Sequence, residues 1–134
     1  MRHSRLLILL LSLPLFMFAG VTSASAQTAP YVNVVSATLL AKGAGVQVVL
    51  TGSCDAGELG TFGATVTQAS KNRVAQGSGY VNLTCTGETQ EATFVVTAGG
   101  GGAPFHVGAA LVSASIIFGC CSGVSTTEVV RIVR

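Results

Sequence analysis

The sequence predicts an all-β protein, an antiparallel immunoglobulin-like β-sandwich of seven or eight strands. Three observations carry that expectation. The body is rich in Val, Thr, Gly and Ser and poor in Leu, Glu and Lys, which favours extended over helical backbone. No segment carries a helical period with caps. Short apolar-alternating runs recur between Gly-rich and polar breaks, the spacing of a sandwich or barrel rather than of βαβ units.

The elements follow in order. Residues 1–26 read as a secretory signal peptide. Arg2 and Arg5 form a positive start, Leu6 to Ala19 an apolar stretch, and Ala24-Ser25-Ala26 a small-residue cleavage site. The apolar stretch is shorter than the ~20 residues that span a bilayer. Cleavage is expected after Ala26, releasing a secreted chain with no stable membrane anchor. Residues 27–134 make one domain. Strands are expected near 31–40, 45–54, 61–69, 73–86 (as two), 91–98, 107–118 and 126–133. The breaks "AKGAG", "DAGELG", "SKN", "TGETQ", "AGGGGAP" and "SGVS" supply the turns. "GAG" at 43–45 and "GSG" at 77–79 read as turns or bulges, since neither continues as a phosphate loop.

Alternation orients the cysteines. Val46, Val48, Leu50, Gly52 and Cys54 share one face of their strand, and Val81, Leu83 and Cys85 share one face of theirs. Both cysteines end an inward face, which argues for a Cys54–Cys85 bridge. Closing that loop would stabilise the fold by roughly 3–4 kcal/mol in the chain-entropy treatment. Along 110–120, parity points Cys120 inward after Phe118 and Cys121 outward. Those two have only each other or an outside thiol. A secreted protein seldom keeps free thiols, which favours a vicinal bond. Such a bond is strained, because a trans peptide sets neighbouring Cα atoms ~3.8 Å apart.

Chemistry is sparse. Without residues 1–26 the chain has Lys42, Lys71, Arg73, Arg131 and Arg134 against Asp55, Glu58, Glu88, Glu91 and Glu128, a net charge near zero. The basic residues do not cluster along the sequence, so nucleic acid or an acidic surface is a poor candidate partner. Outside residues 1–26 the one histidine, His106, and the one aspartate, Asp55, would both be needed for a Ser-His-Asp triad, and no nucleophile-elbow pattern surrounds a serine. The carboxylate pairs Asp55/Glu58 and Glu88/Glu91 sit in turn-like stretches and read as solvated loop charge before a glycosidase pair or a calcium loop. The cysteines lack C-x-x-C spacing, so disulfides outweigh zinc. No catalytic residue, metal or cofactor is therefore expected.

At "TGSCDAGELG", "ATVTQASKNRVAQGSGY", "CTGETQEATFVV" and "APFHVGAALVSAS" the chain resembles a group of small secreted actinobacterial proteins with an immunoglobulin-like look. The resemblance covers about residues 45 to 115. It implies a β-sandwich and the Cys54–Cys85 pairing, and no activity. There is no core tryptophan of the antibody type. A more distant likeness, of fold alone, is to the chromophore-carrying apoproteins of enediyne producers.

The expected function is a non-enzymatic extracellular binding module for a protein, glycan or small molecule. Asp55, Glu58, Glu88 and His106 are its candidate loop contacts. The alternative is a small-molecule carrier with an apolar cleft near "AGGGGAPF".

Overall fold

A computed structural model describes residues 28–134, so the signal-peptide reading of residues 1–26 lies outside the described residues. Seven strands run in chain order: β1 Tyr31–Leu40, β2 Gly45–Ser53, β3 Leu59–Ser70, β4 Arg73–Thr84, β5 Gln90–Ala98, β6 Gly108–Phe118 and β7 Ser122–Val133. Only a three-residue turn, Ala41–Gly43, departs from strand and loop among the elements.

The strands close into a barrel in the order β1-β2-β5-β4-β3-β6-β7. This corrects the immunoglobulin-like sandwich. The strands themselves lie near the expected positions, but a sandwich leaves two sheets with open edges, and here two short seams join them. In one seam, Gly77 and Ser78 of β4 pair with Ala98 and Thr97 of β5. In the other, Ala37 and Thr38 of β1 run parallel to Ile132 and Val133 of β7.

Each seam has a physical cause. At the first, two glycines let backbones approach. A Cβ on Gly77 would sit 2.0 Å from the Thr97 carbonyl oxygen, and one on Gly79 would sit 2.3 Å from that of Val95. "GSG" is thus neither a turn nor a bulge but the middle of β4, and 73–84 is one strand rather than two. Beside the second seam the register of β1 against β2 slips between Val34 and Ser36. The Val34 N–H there donates to the Glu128 carboxylate on β7 at 3.0 Å. A side chain takes the place of a ladder bond. Glu128→Ala should leave that amide without its partner. The expected loss is about 1–3 kcal/mol in denaturant unfolding, with Glu128→Gln recovering most of it by keeping an acceptor.

The core is built by strand alternation. β6 buries Ala110, Val112, Ala114, Ile116 and Phe118, and β2 buries Val46, Val48 and Leu50. Phe62, Leu50, Ile116 and Ile132 are the largest fully buried side chains. Each contributes about 1.5–3 kcal/mol of burial. One polar side chain continues the inward row of β3 after Phe62, Ala64 and Val66. Gln68 is 1% exposed, donates to the carbonyls of His106 and Ala109, and accepts from the His106 N–H. Buried amides cost energy unless bonded, and this one satisfies its own oxygen and the loop backbone together.

Candidate functional site

Loops and turns gather at the two ends of the barrel, and the two ends differ in chemistry. At one end Cys54 and Cys85 form a disulfide, with Cα atoms 5.5 Å apart and both residues buried. The bridge packs over Gly60, where a Cβ would lie 2.9 Å from the Cys85 sulfur and 3.1 Å from that of Cys54. It clamps the β2–β3 loop, 54–58, against the β4–β5 loop, 85–89. The Gly57 N–H donates to the Cys85 carbonyl at 2.8 Å, and the Cys85 N–H to that of Glu58 at 2.8 Å. Gln90 supports the second loop, accepting from the Thr86 N–H and donating to the Thr84 carbonyl. The Tyr31 and Thr89 hydroxyls meet at 2.6 Å, tying the first strand to the same loop.

This clamp brings Asp55, Glu58 and Glu88 to one end. Asp55 and Glu88 are exposed and Glu58 is half-buried. The Glu58 carboxylate lies against Gly119, the first residue of the β6–β7 turn. Cys120 and Cys121 complete that turn as exposed free thiols. The vicinal bond favoured from the sequence is not formed in the structure. The inward orientation expected of Cys120 also fails. β6 stops at Phe118, which pairs with Ser122, and Gly119 turns the chain with φ +59°. Strand parity ends there, and the expected "SGVS" turn is the start of β7.

His106 is at the opposite end. Its ring nitrogens lie 3.0 Å from the Val107 carbonyl oxygen and 3.2 Å from that of Ala69. The expected contact residues therefore do not form one group: the three carboxylates are on loops at one end of the barrel and the histidine is at the other. β2 leads from the His106 end to Asp55, and nine residues of strand span about 30 Å. Asp55 and His106 cannot act on one substrate atom across that distance. Among the described residues, no group of three His, Cys, Asp or Glu side chains is placed to hold a metal ion.

The His106 end also collects every described Lys and Arg. Lys42 lies in the β1–β2 turn, Lys71 and Arg73 in the β3–β4 hairpin, and Arg131 and Arg134 at the end of β7. This overturns the inference from spacing that the basic residues stay dispersed. The loop 99–107 knits this end together. The Arg73 guanidinium donates to the Gly101 and Gly102 carbonyls, the Ala103 N–H to Val74, and the Phe105 N–H to Gly43.

Near "AGGGGAPF" the structure shows a filled core end and, beside it, an open groove. Ala103 and Phe105 are buried and fill that end of the core. The groove that opens beside the loop follows the β4–β5 seam and has a volume of about 560 Å³. Its lining includes Thr65, Gln76, Ser78 and Thr97 and is mainly hydroxyl, amide and glycine backbone. No helix among the described residues is long and apolar enough to cross a membrane. Comparison with protein-family models, with curated proteins and with solved structures finds no match for this chain.

Proposed function

We propose that this chain is a secreted, non-enzymatic binding module that meets an extracellular partner through its disulfide-clamped end. One observation carries the reading. Two loops distant in sequence are locked side by side by Cys54–Cys85, and they hold Asp55, Glu58 and Glu88 at that end. A frame fixed before contact loses little conformational entropy on binding. Its carboxylates accept hydrogen bonds, so the partner presents donors: lysine, arginine or amide groups of a protein, or glycan hydroxyls. The separation of His106 from Asp55 supports a surface over a catalytic centre.

The test is capture from the producing organism's culture medium on immobilised protein, with retained species identified by mass spectrometry. A specific partner should be retained by the native chain and by His106→Ala. It should bind roughly tenfold more weakly to a Glu58→Gln/Glu88→Gln variant of unchanged thermal midpoint. Equal retention by the carboxamide variant would overturn the assignment of this end. A hydrolytic activity that His106→Ala abolishes would overturn the non-enzymatic reading.

A further inference from the structure

We propose that the basic end of the barrel is a contact surface for an anionic lipid membrane. The proposal uses the end opposite the clamped loops and does not depend on their role. The near-zero net charge of residues 27–134 conceals a polarised distribution. Lys42, Lys71, Arg73, Arg131 and Arg134 are all exposed at one end. Asp55, Glu58 and Glu88 are at the other, with Glu91 at the adjoining start of β5. Glu128 lies between, occupied with the Val34 N–H.

Charge alone would suit any polyanion. The second observation is apolar. On the outer surface of β4, β6 and β7, exposed hydrophobic side chains concentrate toward this same end. Val129 is 72% exposed and Val74 53%, and Leu111, Val107 and Val133 are also exposed. The ladder registers them. Leu111 stands directly opposite Val129, and one step further Ala109 stands opposite Arg131. An apolar band therefore borders the basic residues. Toward the disulfide end the same surface carries more hydroxyls and amides, with Thr61, Ser115, Asn82 and Ser125 outward, and its exposed hydrophobics there are Leu59 and Ile117.

A soluble phosphate polymer would engage the charges and leave the band in water. A nucleic acid would seek an aromatic stacking platform, and the one strongly exposed aromatic residue among the described residues, Tyr80 of β4, lies away from this end, opposite Gly63 of β3. An anionic lipid surface uses both features at once. Phosphate headgroups attract the Lys and Arg side chains, and the valine and leucine side chains reach the boundary beneath them. The barrel would dock tilted onto its β6–β7 side. The hydrogen bonds from the 99–107 loop to Gly43, Val74 and Arg73 hold the surface ready.

The experiment is co-sedimentation of the purified protein with vesicles of phosphatidylcholine alone and of an equal mixture with phosphatidylglycerol. Binding is expected to the mixed vesicles only, and to be lost as salt is raised to about 0.5 M. Each basic residue near the surface is worth about fivefold in affinity, so Lys71→Gln/Arg131→Gln should weaken binding roughly thirtyfold. Val129→Ser/Val133→Ser should weaken it by about tenfold or more at constant charge. Equal binding to both vesicle types, or none to the mixed vesicles at low salt, would overturn the proposal. So would binding to inorganic polyphosphate with no vesicle binding and no effect of the valine substitutions, which would assign the end to a soluble polyanion.

Discussion

Replacing both Cys54 and Cys85 with alanine is expected to lower the unfolding free energy by about 3–4 kcal/mol and the thermal midpoint by roughly 15–25 °C. The bridge closes a sequence separation of 31 residues, and its loss returns that loop's freedom to the unfolded chain. The folded state loses as well, since both sulfurs are buried against Gly60. The comparison that isolates the effect is Cys120→Ser/Cys121→Ser. Those thiols are exposed in a turn, and their replacement should change stability by no more than about 0.5 kcal/mol. Thermal unfolding followed by circular dichroism distinguishes the pairs. Equal shifts would mean that the bridge does not hold the fold as described.

Gly77→Val should be the most disruptive single substitution in a strand. The added Cβ falls 2.0 Å from the Thr97 oxygen and 2.8 Å from its carbon, both backbone atoms that cannot turn aside. β4 and β5 must separate, and their seam has only the pairs Gly77–Ala98 and Ser78–Thr97 to lose. We expect a loss of about 3 kcal/mol or more, with faster amide hydrogen exchange along Val95–Ala98. Gly100→Ala provides the control, because nothing lies within 4 Å of its added Cβ. If the two variants unfolded alike, close backbone approach would not be what closes the barrel there.

Local order was legible in the sequence because strand alternation is local. The inward rows of β2 and β6 and the outward turn of their polar neighbours follow from parity alone. Gln68 was missed: it continues the inward row of Phe62, Ala64 and Val66, but a polar residue in an apolar series carries no mark of its buried partners. Closure was not legible. It depends on which non-neighbouring strands touch, and two two-residue seams leave no periodic trace. The same holds for charge. Lys42, Lys71, Arg73, Arg131 and Arg134 are spread along the chain, yet every second strand crossing returns the backbone to the same end. Asp55, Glu58 and Glu88 came together for the converse reason, since the cysteines next to their loops are bonded. Cys120 was misoriented because parity was carried two residues past Phe118, across the glycine that follows the strand.

The parallel seam between Ala37 and Ile132 joins the first strand to the last. Hairpins such as β3–β4 and β6–β7 need only neighbouring chain and can zip early. The seam needs nearly the whole domain in place, and it meets the largest loop-closure entropy of any pairing in the molecule. It is therefore expected to be the last ladder to form. Until it does, β1 and β7 are bare edges that can recruit strands from other chains. The interval between hairpin formation and closure is the period in which this protein is most exposed to aggregation, and the strength of two residue pairs and one glutamate decides how often that interval is revisited.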